Sequence, residues 1–193
     1  MITVYLKERM KHALYFRHKR GFGVHSPFMF DFILNVIRDR RHRFVYPEEA
    51  EKCVGMGRRS RKFYRLLYRI AVCWKVHRVV SYMQDDRWIR LYLQGVTGEE
   101  GMKCNVRDCG EGVDMVYVAK DAWKFLEGKE YELLEGLGKG RQCVVISDIY
   151  RNAFNASLWQ RLARKAQVRM DMMRFGILLF DEKLQQGSYH LMV

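Results

Sequence analysis

The sequence predicts an α/β fold: a doubly wound, mainly parallel sheet that follows a helical extension and closes with an antiparallel hairpin. The apolar pattern has a helical period over residues 1–76 and a strand-like one over residues 77–193. Two continuous apolar runs, 113–118 and 143–149, are typical of parallel strands that are covered on both faces. A helical pattern follows each run, and three short strand-like runs complete the chain. Alternation of this kind indicates helices packed on a parallel sheet.

The N-terminal segment is expected to be a series of helices. Residues 2–19 form an amphipathic pattern that two glycines interrupt. Ser26 followed by Pro27 is typical of a helix start, because the hydroxyl caps the first turn and proline needs no N–H there. The strongest helical signal is Arg58–Trp74, with one apolar stripe at i, i+3, i+4, i+7, i+8 and i+11. We expect residues 40–57 to be an irregular connection.

The remaining elements follow from the strand-like pattern. We expect a strand at 78–83, followed by a helix that ends at Gly95. Only 17 residues, 96–112, separate that helix from the next apolar run, which leaves room for one strand near 102–109 and no helix of ordinary length. Further helices are expected at 121–135 and 154–166, and the last strands at 168–173, 176–180 and 188–193, with a turn at 186–188.

Positive charge is concentrated in the N-terminal part. The net charge is +13, and residues 1–80 hold 19 of the 35 Lys and Arg but 6 of the 22 Asp and Glu. Arginine clusters suit phosphate, and the aromatic residues among them can stack on bases. We therefore predict that residues 1–80 bind nucleic acid or another polyanion, and the alternative is a solvated helix face. The predicted surface is a basic stripe formed by Arg58, Arg61, Arg65 and Arg69.

Several classes of protein do not fit the sequence. No run of about 18 apolar residues occurs, so we expect no membrane-spanning helix. The five cysteines are scattered, and no second Cys or His pair accompanies Cys104 and Cys109 to complete a zinc site. The first 20 residues lack the apolar core of a secretory signal. We expect a cytoplasmic protein with reduced thiols. A protein partner is a further possibility.

Three stretches carry a family resemblance. Residues 18–34 contain Gly-Val-His-Ser-Pro-Phe at 23–28 and resemble the N-terminal helical segment of a bacterial class I S-adenosylmethionine (SAM)-dependent methyltransferase-like family. Residues 65–95 resemble that family's helix, first strand and next helix, and residues 144–162 its fifth strand and following helix. The resemblance implies a Rossmann-like class I methyltransferase-type sheet, shortened at the 17-residue connection, with a SAM site at the carboxyl ends of the strands.

The chain departs from the family at the implied cofactor site. Where the family's first turn brings a glycine up to SAM, Ser81–Asp86 has no glycine, two bulky side chains and two carboxylates without a counter-charge. The short connection leaves little material for a ribose-binding acid or an adenine wall. Lys120 and Asp148 stand at the positions of metal-binding acids, too few oxygens for magnesium. The resemblance leaves three vestigial cofactor-binding residues, Ser81, Asp85 and Asp148.

Two functions of different class stay open. The chain is either a catalytically degenerate methyltransferase-like binding or scaffold protein with an acidic partner, or an active SAM-dependent, O-methyltransferase-like enzyme of unknown substrate. The first needs no cofactor, metal or catalytic residue, and the departures favour it. The second would use an altered cleft near Ser81, Lys120, Ser147, Asp148 and Tyr150. A remnant without selected activity is a third possibility.

Overall fold

A computed structural model describes residues 5–10, 26–39, 43–106, 112–126, 128, 135–137 and 140–191. Residues 5–10 are helical, in agreement with the start of the expected first helix. The rest of that helix, the first half of the Gly-Val-His-Ser-Pro-Phe motif (23–25), and residues 127 and 129–134 of the helix expected at 121–135 lie outside the described residues.

Helix α1, Pro27–Asp31, begins where its sequence predicts. The Ser26 hydroxyl accepts a hydrogen bond from the Met29 N–H at 3.4 Å, and proline occupies the first turn. The helix continues without a break as a π-helical segment, Phe32–Ile37, that buries all but one of its side chains. Its last turn is closed by a hydrogen bond from the Arg38 N–H to a carbonyl five residues earlier.

Helix α2, Glu48–Lys52, lies in the segment that we expected to be irregular, so that expectation was wrong. Three glutamates occupy its first turn, where negative charge is stabilised by the helix dipole. Pro47 precedes it as the N-cap residue. Ala50 is its one buried side chain, and a five-residue helix with a single buried position has no apolar period to recognise.

Helix α3, Arg58–Trp74, has the predicted bounds and ends at Lys75, which takes a left-handed φ of 54°. Its apolar stripe is buried, with each of the following at most 2% exposed: Leu66, Leu67, Ile70, Ala71 and Trp74. Helix α4, Arg87–Thr97, passes through Gly95, where we expected it to end, and stops at Gly98, whose φ is 73°. Gly95 has open space around it, so nothing forces a break there, whereas the positive φ of Gly98 ends the helix.

The part of the chain that the structure describes contains seven strands: β1 Val79–Tyr82, β2 Met102–Cys104, β3 Met115–Val118, β4 Gln142–Ser147, β5 Val168–Asp171, β6 Phe175–Phe180 and β7 Gly187–His190. They form one sheet in the order β2-β1-β3-β4-β6-β5-β7. Strand β6 runs antiparallel to both of its neighbours, and every other neighbouring pair is parallel. The mainly parallel sheet is thus confirmed, and the described part of the 17-residue connection contains one strand, β2, as expected.

The C-terminal strands close differently from the expectation in one respect. Strands β5 and β6 pair antiparallel, as expected of strands near the C-terminus, but the hairpin expected around 186–188 is not formed. Strand β7 does not turn back on β6 at 186–188, because Gly187 already begins β7, and β7 pairs in parallel with β5. Strand β6 has β4 on one side and β5 on the other, so it offers no free edge. The last strand therefore crosses to the outer edge of the sheet.

Helices cover both faces of the sheet. Helices α1 to α4 pack on one face in a large apolar cluster. On the other face, a second cluster joins the sheet to helix α5, Trp123–Leu126, and helix α6, Ala153–Ala163. Side chains between residues 29 and 76 thus share an apolar core with the sheet of 77–193, and the division of the chain at 76 stays a prediction. Within the described ranges, no helix combines the length and apolar character needed to cross a bilayer.

Candidate functional site

A cleft of about 870 Å³ opens at the carboxyl ends of β1, β3 and β4. Strand β1 has β2 on one side and β3 on the other, so the winding direction of the chain reverses between β1 and β3. Open α/β sheets bind ligands at such a reversal, because the loops on its two sides lead apart and leave a crevice. The first half of α3 lies over the crevice and supplies its outer wall.

The backbone of the turn after β1 is hydrogen-bonded within the protein. The Met83 N–H donates to Asn105 Oδ1 at 3.0 Å, and the Met83 carbonyl accepts from Asn105 Nδ2 at 2.9 Å. The next N–H, that of Gln84, donates to Asp121 Oδ2 at 3.0 Å. Tyr82, expected to crowd this turn, belongs instead to β1 and packs into the core on the other side of the sheet from Met83. A ligand that approached this backbone would have to displace Asn105 and Asp121.

Both carboxylates of this turn have arginine partners, contrary to our expectation of uncompensated charge. Arg87 Nη2 donates to Asp85 at 2.9 Å, and this bond holds the pKa of Asp85 below its usual range. Asp86 accepts a hydrogen bond from the Cys104 thiol at 2.9 Å and pairs with Arg90, and these contacts lower the pKa of Asp86. The sequence pattern missed both pairs because arginines in the first turn of a helix are interpreted as surface charge.

The structure separates the three vestigial cofactor-binding residues. Asp85 and Asp148 both line the cleft. Ser81 is fully buried in β1, where its Oγ lies 3.0 Å from Cys104 Sγ, and it does not line the cleft. A role in holding a cofactor stays a prediction for all three.

Asp148 has an unusual backbone for a residue with a side chain. Its φ is 53°, and its N–H donates to the Arg174 carbonyl at 2.5 Å, directly after β4. A left-handed conformation costs an ordinary residue about 1–2 kcal/mol, although aspartate tolerates it better than most. Within the described residues, no hydrogen bond or ion pair engages its carboxylate. Strained residues of this kind cluster at ligand sites.

Two phenols line the cleft, Tyr117 from the sheet and Tyr64 from α3. Tyr117 and Ser147 are linked through their hydroxyl oxygens at 3.0 Å, and burial raises the pKa of Tyr117. Burial, reinforced by the charges of Asp85 and Asp121, raises the pKa of Tyr64 to about 12. Both phenols therefore keep their protons near neutral pH and can serve as hydrogen-bond donors.

Tyr150, which the enzyme hypothesis placed in the cleft, does not line it. Its hydroxyl donates to Asp171, and burial together with this carboxylate raises the pKa of Tyr150. Lys120, Ser147 and Asp148 do line the cleft, as that hypothesis expected.

Two asparagines on the first turn of α6 fix the far edge of the cleft. Asn152 is the N-cap residue, and its Nδ2 donates to the Lys120 carbonyl at 2.7 Å. Asn155 is fully buried, and its Nδ2 donates to the carbonyls of Ala119 at 3.0 Å and Ser147 at 2.6 Å. These bonds tie the loops after β3 and β4 to one helix. Sequence reasoning did not select these two asparagines, because an asparagine near a helix start is typical of a cap.

Four cationic side chains line the cleft. Arg59 and Lys62 belong to the first turns of α3, Lys120 follows β3, and Arg174 lies in the turn between β5 and β6. In the part of the chain that the structure describes, none of the four forms a salt bridge. Sequence reasoning selected only Lys120, because the other three come from segments whose proximity depends on the packing of α3 over the sheet.

The predicted basic stripe on α3 is largely engaged in internal contacts. Arg69 is 7% exposed and donates to the carbonyls that end the π-helical segment, at 2.5 and 3.0 Å. Arg65 pairs with Glu51, and Arg61 donates to backbone carbonyls of α2 and the residue after it. Arg58 alone among the four is exposed. Three of the four arginines thus hold α2 and the π-helical segment against α3, and the stripe is not the open surface that we predicted.

The described residues bring together no group of three or more His, Cys, Asp or Glu side chains that could hold a metal ion. Asp121, a further acid of the cleft, accepts the Gln84 N–H. Comparison with protein families, curated proteins and solved structures gives no match to this chain. The cleft is therefore interpreted from its own side chains.

Proposed function

We propose that this protein is a shortened methyltransferase-like binding protein, without methyl-transfer activity, whose cleft takes an acidic ligand. The observation that carries the proposal is the set of four cleft cations without a salt bridge in the described part of the chain, Arg59, Lys62, Lys120 and Arg174. Cations that have no internal partner attract anions into a crevice with low-dielectric walls. The acidic partner expected from the sequence is thus assigned to the cleft and not to the arginine stripe.

The turn after β1 supports the absence of SAM binding. Its backbone groups are already bonded to Asn105 and Asp121, and no acid stands in the three residues of β2. SAM also carries a sulfonium cation, which unpaired lysine and arginine side chains would repel. Loss of one hydrogen bond to a charged group costs about 1.5–3 kcal/mol, and each 1.4 kcal/mol is about a tenfold change in affinity.

We expect calorimetric titration with SAM and S-adenosylhomocysteine to show no saturable binding at micromolar concentration. Two or three missing contacts would move a micromolar cofactor to about millimolar affinity or weaker. The companion titration uses a polyanionic small molecule, pyrophosphate, which we expect to bind the wild type. It should bind the Lys120→Glu variant at least about tenfold more weakly, since a cation is replaced by an anion. Micromolar SAM binding, or equal pyrophosphate binding by both proteins, would contradict the proposal.

An active SAM-dependent methyltransferase is the second candidate, and the persistence of the cleft favours it. A cavity of about 870 Å³ is within the range of small-molecule sites, and it lies where the family resemblance implies the cofactor. Transfer of a labelled methyl group from SAM to any acceptor in a substrate panel would support this candidate over the binding protein.

A further inference from the structure

The side chains that line the cleft carry a net positive charge when a carboxylate that is paired with a residue outside the lining is left out of the count. Its lining includes three carboxylates beside the four cations. Asp85 is paired with Arg87, a residue outside the lining. This leaves Asp121 and Asp148 against four cations. A ligand that carries about two negative charges, as a phosphate monoester does near neutral pH, would neutralise the difference.

The same cleft has an aromatic wall. Phe63 of α3 is half-buried, with ring centroids at 5.7 Å from Tyr117 and 5.0 Å from Phe175. Tyr64 and Trp88 also line the cleft. Flat rings of a ligand, such as nucleobases, stack on aromatic surfaces of this kind. A simple anion would leave this wall in contact with water.

We propose that the acidic ligand is a nucleoside phosphate, with its base against Phe63 and its phosphate among the cations. This inference rests on the proposed acidic-ligand function and adds that the ligand carries an aromatic base. Arg59 and Lys62 lie within one turn of Phe63 along α3, so a phosphate joined to a stacked base by a sugar is within reach of them. The cleft volume of about 870 Å³ accommodates a mononucleotide.

The test is calorimetric titration at low salt with AMP, GMP, CMP and UMP, each compared with its nucleoside, inorganic phosphate and pyrophosphate. We expect at least one monophosphate to bind about tenfold or more tightly than both its nucleoside and inorganic phosphate. Phe63→Leu keeps an apolar side chain but removes the ring face, and it should weaken nucleotide binding about tenfold while leaving pyrophosphate binding unchanged.

Two charge variants give effects of opposite sign. Arg174→Ala should weaken nucleotide binding about tenfold or more. Asp148→Asn removes a carboxylate from the same cleft, and asparagine also tolerates the left-handed backbone, so it should tighten binding. Arg58→Ala lies on α3 outside the cleft and should change nothing. Thermal unfolding of each variant verifies that it is folded.

The outcomes separate the two proposals. If inorganic phosphate binds as tightly as every nucleotide, or if Phe63→Leu weakens nucleotide and pyrophosphate binding equally, the nucleotide inference is overturned and the acidic-ligand function stands. If nucleosides bind as tightly as their monophosphates, both are overturned, because phosphate then contributes nothing. Absence of binding by every anion also overturns both.

Discussion

At the scale of single residues, asparagine side chains hold the loops of the cleft. The Asn105 side chain forms hydrogen bonds with both the N–H and the carbonyl of Met83, and Asn155 bridges the ends of β3 and β4. An amide side chain both donates and accepts hydrogen bonds. It can therefore bond to the backbone N–H and carbonyl groups of a loop, which have no partner in a neighbouring strand. The loop positions, and hence the shape of the cleft, depend on these few bonds.

Asn155→Ala should lower the free energy of unfolding by about 1–3 kcal/mol, because it leaves buried carbonyls without a donor. Asn155→Asp has nearly the same shape but cannot donate when ionised, so it should be at least as destabilising. Urea denaturation measures both, and Gln160→Ala, an exposed position on the same helix, is the control. If Asn155→Asp is as stable as the wild type, packing and not hydrogen bonding explains the position.

At the scale of elements, Glu51 joins three helices. It lies on α2, pairs with Arg65 of α3, and accepts a hydrogen bond from the Tyr92 hydroxyl of α4 at 2.7 Å. The hydrogen bond from Arg65 is the main cause that lowers the pKa of Glu51 to about 2 from its ordinary value of 4.5. The short helix α2, which has little apolar surface of its own, is thus fixed by a carboxylate.

The pKa of Glu51 predicts a pH dependence of stability. A carboxyl whose pKa is lower in the folded state contributes its full stabilisation above the unfolded value, and loses it as the pH falls through the folded value. The stability difference between the wild type and Glu51→Gln should therefore be largest above about pH 5 and shrink between pH 4.5 and about 2. Urea denaturation across this range measures it. A difference that is constant with pH would show that the ion pair is not linked to folding.

At the scale of the whole molecule, one sheet carries two cores, and α3 has a double role. Its apolar side packs in the larger core, while Arg59, Lys62 and Phe63 face the cleft. The helical segment is therefore part of the wall of the cleft as well as of the core. The net charge of +13 still favours non-specific association with polyanions, whatever the cleft binds.

Retention on heparin at low salt is expected from this charge, and it should fall steeply as salt rises, because binding releases condensed counterions. Arg58→Glu should reduce the salt needed for elution without changing the urea midpoint, since Arg58 is exposed. Arg65→Gln should instead lower the urea midpoint, because Glu51 loses its partner. If the wild type is not retained at low salt, the net charge does not lead to association with polyanions and this prediction is wrong.

The sequence by itself determined most elements. Apolar periods and capping residues predicted the bounds of α3, the capped start of α1, the parallel strands and a strand in the 17-residue connection. These signals act between residues at most a few positions apart. Local patterns did not predict α2, which is too short to show an apolar period. They also wrongly ended α4 at Gly95, where the structure does not require a glycine.

Only the tertiary structure decided which side chains share the cleft. The arginines of the stripe could not be distinguished from surface charge until α2 and the π-helical segment were placed against them. Lys120 and Arg174 lie 54 residues apart in the sequence. Arg174 directly precedes β6, and it lies in the cleft because β6 is inserted between β4 and β5. Strand order depends on which edge is free when a strand pairs, and no local pattern encodes that.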